Sequence, residues 1–468
     1  MTSTHYAFLP TISAPDYTYY VSLTGNDTTG SGRANAPWRT ISYAVSRVPD
    51  SAIILVTPGI YMGQVELSRK FTSGITIRSA VPYRAQLRNN DKVLFCFVCA
   101  GITIEGFDIA HNGPGAGQYV VQIQDSADNG SGGRDLRFIN NVFHDSYNND
   151  IIKVNNGARD ILFEDNIFYN QFGQDSHIDI NSALDITLRH NIFFNDFAGS
   201  GRTDTNTGSF VVIKDSNGSE DNIFGSQRIT LDGNIFANWE GEVGNAFIAL
   251  GDSSQVNYYF ARDVIIQNNL FIGNAANVIH TTLKVVGSSD VTFRNNTVTG
   301  DLPGKSFAFR LTTNALPNRN IAFYNNIWSD PTGTMGAENG GDTNNFDDSE
   351  DTVSYAINNN LYWNGGQTIP TDANDIINYE DDLAANLNNP TLPADQTTFH
   401  PPRWLPASGQ FVGGSTSISQ LFAGLVANYG AIPAGSAAID AANPQFAPET
   451  DILGNGRINP DIGAYERP

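Results

Sequence analysis

Cysteine and long apolar runs are scarce in this chain of 468 residues. No apolar run approaches the roughly 18 residues that a transmembrane helix needs, so we expect no membrane span. The only two cysteines, Cys96 and Cys99, are three residues apart. On a strand they would point to opposite faces, so we expect buried thiols rather than a disulfide, and a metal knuckle lacks its second pair.

Basic residues are also few: 26 stand against 48 acidic residues, which gives a formal net charge of −22, and only six of them are lysine. This balance argues against nucleic acid as a partner, because phosphate binding needs a basic surface. It also argues against simple electrostatic attraction of an anionic polysaccharide. Two explanations stay open: a salt-adapted or acid-adapted surface, or carboxylates that bind cations such as Ca²⁺.

The sequence does contain an internal repeat. Beginning at Arg134 it reads RDLRFINNVFHDS, RDILFEDNIFYNQ and LDITLRHNIFFND, and Asp135, Asp160 and Asp185 follow one another at intervals of 25 residues. Short alternating runs, DIIKVNN and SHIDINS, separate the copies. Short strands and Asn/Gly turns at such a period, without helical spacing, are typical of a solenoid.

A second recurrent position in the repeat is asparagine. Six residues after each Asp position stand Asn141, Asn166, Asn191, Asn234, Asn269, Asn296, Asn326 and Asn360. Equivalent residues on stacked coils lie roughly 4.8 Å apart, so their amides can bond along the stack and satisfy buried turn backbone. We therefore predict a structural role for these residues in an all-β right-handed parallel β-helix of roughly ten coils.

The remaining segments flank the repeats. Residues 1–73 are predicted to hold a loose leader, the first strands and one short amphipathic helix, Trp38–Val48, that caps the open end of the solenoid. The coils are expected over residues 74–365. Residues 366–468 are rich in Pro, Ala, Asn and Asp, and are predicted to be an irregular C-terminal segment packed on the solenoid.

The opening YYVSLTGNDTTGSGRANAPWRTISYAV, the coil motif and the closing DIGAYE resemble secreted bacterial right-handed β-helix proteins, and among them polysaccharide lyase family nine. Characterised members of that family cleave pectate. The resemblance implies secretion, although the first residues, MTSTHYAFLP, lack a signal-peptide pattern and we expect a leader to be absent from this sequence. These motifs specify fold rather than chemistry, so function has to be argued from a site.

Outward-facing strand positions are where such a site is expected. Strand alternation turns Ile178 and Ile180 inward and leaves His177 and Asp179 outward, and the same argument turns Lys153, Lys214 and Lys284 outward. Aligned on their inward neighbours, these residues form one predicted column: Gln124, Lys153, Asp179, Lys214, Lys284 and Arg310. Three of only six lysines in an acidic chain indicate a functional face, although charged residues also alternate by default on a solvated strand.

Three aspartates form the acidic part of this face. Stacked coils would bring Asp150, Asp175 and Asp179 within a few ångströms of one another, and their charges repel unless a cation joins them. The resemblance implies that these residues are three of the four Ca²⁺ ligands of the family and that Lys214 is its base. Ser176 departs from the family pattern, since it stands where the fourth acid is expected. The alternative is an Asp cluster that caps turns.

The chemistry implied is β-elimination on a uronate, in which Ca²⁺ acidifies the C5 proton and a lysine removes it. Lys214 is the predicted base if nearby cations lower its pKa, and Lys153 is the competing candidate. The residues predicted to contact substrate are His177, Lys284, Arg310 and Arg202.

Two other classes of function stay open. A glycoside hydrolase would use paired carboxylates such as Asp179 with Asp150 or Asp215. A non-catalytic carbohydrate-binding or surface protein would use the repeats as a scaffold only. In all three cases we expect a monomer whose partner is a polysaccharide.

Overall fold

The computed structural model shows a solenoid of parallel strands in three long sheets. It describes residues 17–124, 132–203, 206–216, 218–241, 244–254, 256–273, 279–300, 309–312, 316–334, 352–367, 369, 390 and 398–468. Most of the predicted leader and much of the segment after residue 366 lie outside these residues. The right-handed parallel β-helix predicted from the repeat is confirmed.

The central coils each contribute one strand to each sheet, and the strands are numbered along the chain. Sheet A contains β1 (Thr18–Val21), β2 (Ile53–Val56), β5 (Lys70–Ser79), β8 (Ala100–Glu105), β11 (Arg134–Ile139), β14 (Arg159–Glu164), β17 (Leu184–Arg189), β20 (Ser226–Asp232), β23 (Ala261–Gln267), β26 (Ser289–Arg294), β29 (Asn318–Tyr324) and β31 (Thr352–Asn358). Sheet B contains β4 (Val65–Glu66), β7 (Leu94–Cys96), β10 (Val121–Gln124), β13 (Ile152–Asn155), β16 (Ile178–Asn181), β19 (Val211–Lys214), β22 (Ala246–Leu250), β25 (Thr281–Val286) and β28 (Phe309–Thr312). Sheet C contains β3 (Gly59–Met62), β6 (Ala85–Asn89), β9 (Asp108–His111), β12 (Val142–His144), β15 (Ile167–Tyr169), β18 (Ile192–Phe194), β21 (Ile235–Phe236), β24 (Leu270–Gly273), β27 (Thr297–Gly300), β30 (Ile327–Asp330) and β32 (Leu361–Asn364). Coil strands therefore begin well before residue 74.

The core of the solenoid is a set of stacked side chains, because each inward position recurs once per coil. The clearest stack on sheet C is Phe143, Phe168, Phe193, Phe236 and Phe271, with successive ring centroids 4.8–5.1 Å apart and nearly parallel rings. Offset or parallel aromatic pairs at this separation add to the stabilisation that burial gives. The repeat thus produces a continuous apolar core along the axis.

The recurrent Asp of the repeat has a backbone role. Asp135, Asp160 and Asp185 have φ angles of 53°, 55° and 57°, in the left-handed region that Asp and Asn tolerate better than other L-residues. The pairing of β11 with β14 passes over this position, since Arg134 pairs with Arg159 and the next pair begins two residues later. Aspartate recurs there because the turn into sheet A requires that conformation.

The predicted asparagine ladder is present and buried. The Asn191 Oδ1 atom accepts hydrogen bonds from the Asn166 backbone N–H and side-chain amide, both at 3.0 Å. The Asn191 amide donates to the Phe163 carbonyl and to Asn234 Oδ1, both at 2.9 Å. The same bonds recur from Asn141 to Asn360, so one side chain per coil satisfies the backbone at the turn between sheets A and C.

The described parts of both flanking segments pack against the solenoid. Helix α1 (Ile41–Arg47) is shorter than expected; Thr40 caps its first turn, and it buries Ile41, Ala44 and Val45. The C-terminal part covers the outer face of sheet C with the hairpin β33 (Trp404–Leu405) and β34 (Gln410–Phe411), helix α3 (Ile418–Leu425) and a π-helical turn, Val426–Gly430. A further short helix, α2 (Gly218–Asp221), lies in the connection after β19. Among the described residues no helix is long and apolar enough to cross a membrane.

The prediction that the two cysteines are free thiols is wrong, because Cys96 and Cys99 form a disulfide with Cα atoms 5.5 Å apart. Strand β7 ends at Cys96, and a bend over the next two residues turns the chain. Alternation along a strand therefore does not apply across this interval. Both sulfur-bearing side chains face the core and are fully buried.

Candidate functional site

The outer face of sheet B carries much of the polar column that the sequence predicts, but Gln124 and Lys214 are out of register with the rest. The residues paired from coil to coil are Gln122, Lys153, Asp179, Val212, Ala249, Lys284 and Arg310. Lys214 lies two positions further along its strand, beside Asn181, and Gln124 belongs to that second column. Alternation fixes which face a residue occupies, but it leaves the pairing free to slip by two residues.

A cluster of carboxylates and ammonium groups joins the two columns. The Lys153 Nζ atom lies 2.6 Å from Asp179 Oδ2 and 4.0 Å from Asp150 Oδ2. The Lys214 Nζ atom lies 3.6 Å from the same Asp179 oxygen and 3.6 Å from Asp252 Oδ2. Asp150 and Asp179 are almost fully buried, whereas 22% of the Lys214 side chain is exposed. The predicted approach of Asp150 to Asp179 is thus observed, with an ammonium group between them.

Charge and burial act on this cluster in opposite directions. Burial, followed by the charge of Asp179, raises the pKa of Asp150 well above its usual range. Burial also raises the pKa of Asp175, which Asp179 raises further. Burial alone would lower the pKa of Lys153 and Lys214, but the surrounding carboxylates outweigh it and raise both pKa values. In the free protein the pKa of Lys214 therefore moves away from the direction that a base at neutral pH requires.

The carboxylates do not form a cage for Ca²⁺ as they stand. The Lys153 ammonium contacts Asp179, and the Ser176 backbone N–H donates to Asp150 Oδ1 at 2.8 Å. Ser176, the departure from the family pattern, is buried. In the part of the chain that the structure describes, no group of three or more His, Cys, Asp or Glu side chains is arranged to hold a metal ion. Calcium at this cluster stays a prediction of the sequence.

Lys284, which lies two coils beyond Lys214, forms a second cationic pair with Arg310. They are register neighbours on β25 and β28, and Arg310 Nη1 contacts His280 Nε2. Burial, followed by the charge of Arg310, lowers the pKa of Lys284. The position below Lys284 in the column is the small residue Ala249, which is buried. Two adjacent cations suit a carboxylate ligand.

The prediction that His177 faces outward to substrate is wrong. Its side chain is fully buried, with its ring stacked on Phe210 at a centroid distance of 4.3 Å, and its Nε2 atom lies 3.0 Å from Asn195 Oδ1. Strand β16 begins at Ile178, so the alternation does not extend back to His177. Burial lowers the pKa of His177 to about 3, which keeps the ring neutral.

Arg202 was also expected to contact substrate, and the structure instead buries it against its own chain. Its guanidinium lies 3.2 Å from Asp145 Oδ1, and it donates to the Ser146 carbonyl at 3.1 Å. It is also 4.1 Å from the centroid of the Tyr147 ring. Arg202 lies in the connection between sheets C and B, where strand alternation gives no information about direction. Its role is to hold the segment that leads to Asp150.

Sequence reasoning missed three residues of this face. Tyr119 places its ring centroid 6.0 Å from Lys153 Nζ, Asp252 contacts Lys214, and His280 contacts Arg310. All three lie just outside strands, so alternation could not orient them. Asp215, the other carboxylate considered for hydrolysis, is fully buried, and its Oδ2 atom accepts the Gly225 N–H at 2.6 Å. It therefore belongs to the turn rather than to the sheet face.

Comparison with solved structures identifies the fold. The crystal structure of pectate lyase Pel9A aligns with 97% of this chain and 97% of its own, at 14% identity and a TM-score of 0.51. A complex of XylC with xylose aligns over 80% and 86%, at 12% identity and a TM-score of 0.48. A rhamnogalacturonan lyase aligns over 74% and 87%, at 13% identity and a TM-score of 0.46. Neither a protein-family model nor a curated protein matches the sequence. The chain therefore has the parallel β-helix fold of pectate lyase Pel9A.

Proposed function

We propose that this protein is a secreted polysaccharide lyase that cleaves a uronate-containing chain by β-elimination on the outer face of sheet B. The observation that supports this function is the cluster at Asp179, where Lys153 and Lys214 approach one carboxylate from two neighbouring coils. Burial of charged side chains costs desolvation free energy. Titratable groups whose pKa values are shifted by burial and by neighbouring charges concentrate at functional sites. The fold shared with pectate lyase Pel9A is consistent with this reaction but does not establish it.

Lys214 is the base in this proposal. Its side chain is twice as exposed as that of Lys153, 22% against 11%, and its contacts with carboxylates are 3.6 Å long rather than 2.6 Å. Lys214 can therefore turn toward a bound sugar more readily than Lys153. The neutral amine of Lys214, a form that its raised pKa confines to alkaline pH, takes the C5 proton of the uronate; the C4–C5 double bond forms, the C4–O bond breaks, and water protonates the leaving oxygen.

Lys284 and Arg310 are proposed to bind a neighbouring uronate carboxylate. Two rungs of the sheet separate the coil of Lys214 from that of Lys284, or about 10 Å at the usual strand spacing. An extended anionic chain that runs along the solenoid axis would meet both positions. In a protein of net charge −22, this local pair offers the attraction that the surface as a whole does not.

A second candidate function is glycoside hydrolysis, and one observation favours it. Burial and the charge of Asp179 raise the pKa of Asp150, which is the direction that a general acid requires, and the Lys153 ammonium lies between Asp150 and Asp179. Asp150 is almost fully buried, however, which restricts its access to a glycosidic oxygen.

The experiment that tests the lyase proposal is ultraviolet detection of unsaturated uronate product on pectate, alginate and a neutral glucan, each with EDTA and with Ca²⁺. We expect absorbance to rise on at least one uronate polymer and not on the glucan. Lys214→Ala should abolish the rise, whereas Lys70→Ala, which removes an exposed lysine on β5 far from the site, should not. No rise on any uronate polymer, or full activity in Lys214→Ala, would overturn the proposal.

A further inference from the structure

The Lys153 ammonium group stands where the sequence predicts a divalent cation. It contacts Asp179 Oδ2 at 2.6 Å and lies 4.0 Å from Asp150 Oδ2, and these are two of the three predicted ligands. The lysine comes from β13, one coil before Asp179, and register pairing holds the two residues side by side. The position of this ammonium is therefore set by the sheet and not by a flexible loop.

The ammonium compensates the cluster incompletely. Asp179 is almost fully buried, and its Oδ1 atom has no hydrogen-bond partner in the described part of the chain. A lysine contributes one charge and three donors, whereas Ca²⁺ takes about 6–8 oxygen ligands and carries two charges. Removal of the ammonium would leave Asp150 and Asp179 buried together without a nearby counter-ion on that side, and such a pair strongly attracts a cation.

We propose that Lys153 is a built-in cation that replaces a divalent ion in this cluster, so that the protein needs no metal there. In the wild-type chain the ammonium groups of Lys153 and Lys214 both lie against the buried Asp179 carboxylate, which allows an anionic sugar to approach. The catalytic part of this inference rests on the lyase function proposed above. The binding part does not, since it concerns only which cation the carboxylates hold.

Isothermal titration calorimetry with CaCl₂ tests the binding part without any substrate. The wild-type protein should show no saturable Ca²⁺ site that depends on Asp179. Lys153→Met keeps an unbranched side chain of nearly the same length and removes its charge, and it should create one site per chain with a Kd on the order of 10⁻³ M or lower. Lys153→Met combined with Asp179→Asn should lose that site again. Lys70→Met serves as the control for the loss of one positive charge.

Two calorimetric results would contradict the replacement of Ca²⁺ by Lys153. Wild-type protein that binds Ca²⁺ and loses the binding in Asp179→Asn would overturn the proposal. So would a Lys153→Met variant that keeps the wild-type circular dichroism spectrum and binds no Ca²⁺; if that variant is unfolded, Lys153→Gln replaces it. Where a lyase substrate is found, wild-type activity should be unchanged in EDTA, whereas Lys153→Met activity should rise with added Ca²⁺. Failure to find a substrate would refute the lyase function and leave the calorimetric result intact.

Discussion

The asparagine ladder offers the sharpest prediction about stability, and Asn191 is the position at which to test it. Its side chain makes four hydrogen bonds: two accepted from Asn166 and one donated to each of the Phe163 carbonyl and Asn234 Oδ1. The residue is fully buried. Asn191→Ala removes all four bonds at a place that solvent does not reach.

The magnitude follows from the groups that lose a partner. The Asn166 backbone N–H is left without an acceptor, which costs about 1–3 kcal/mol for a buried donor. The Asn166 amide still donates to the Phe138 carbonyl, and the Asn234 oxygen still accepts from the Asn191 backbone, so these groups lose only part of their bonding. With the Phe163 carbonyl included, we expect a total loss of about 2–4 kcal/mol in the free energy of unfolding.

Urea denaturation followed by circular dichroism measures this difference. Asn112→Ala is the matched control, because Asn112 is exposed and outside the ladder; its free energy of unfolding should change by less than about 0.5 kcal/mol. Solenoids do not always unfold in one step, so the comparison uses the transition that includes the central coils. If Asn191→Ala is as stable as Asn112→Ala, the ladder does not carry the role argued for it.

Three further predictions concern other residues. His177 has a pKa of about 3 in the folded protein and about 6.5 in the unfolded chain, so its ring is neutral in the folded protein at neutral pH. As the pH falls below about 6.5, only the unfolded chain takes up the proton, and the free energy of unfolding falls by about 1.4 kcal/mol per pH unit. In denaturation measured from pH 7 to pH 4, a His177→Phe variant should show a shallower loss of this free energy. Asp252→Asn removes a carboxylate that raises the pKa of Lys214, so the lyase rate profile should shift to lower pH, and an unshifted profile would contradict Lys214 as the base. Reduction of the Cys96–Cys99 disulfide should cost about 2 kcal/mol or less, because the loop that it closes is short, and a thermal melt with and without reductant measures the loss.

The fold could be read from the sequence because each coil repeats the same physical requirement. Asp160 recurs where the backbone is left-handed, and Asn191 recurs where turn backbone is buried. Both requirements are local, so one chain suffices to reveal them. The same logic gave the face of Lys153 and Asp179, because both lie inside strands where alternation holds.

The rest of the site depended on distances that periodicity does not contain. The predicted position of Lys214 in the column differs from the observed one by two residues, because both registers satisfy the alternation of inward and outward side chains. His177 and Arg202 lie outside strands, and packing against Phe210 and Tyr147 decides their direction. The direction of the Lys214 pKa depends on Asp252, which belongs to a later coil and a connection of unpredictable path.

The proposed function is cleavage of the glycosidic bond by elimination rather than by hydrolysis. The products formed in heavy-oxygen water test this proposal most directly. Mass spectrometry of the oligosaccharides released from a uronate polymer distinguishes the two reactions, because hydrolysis adds one water to each broken linkage and elimination adds none. We predict products that lack one water relative to hydrolysis products and carry no heavy oxygen incorporated at cleavage. Products that gain one labelled oxygen per broken linkage would contradict the lyase function and favour the pair of Asp150 and Asp179 as a hydrolytic acid and base.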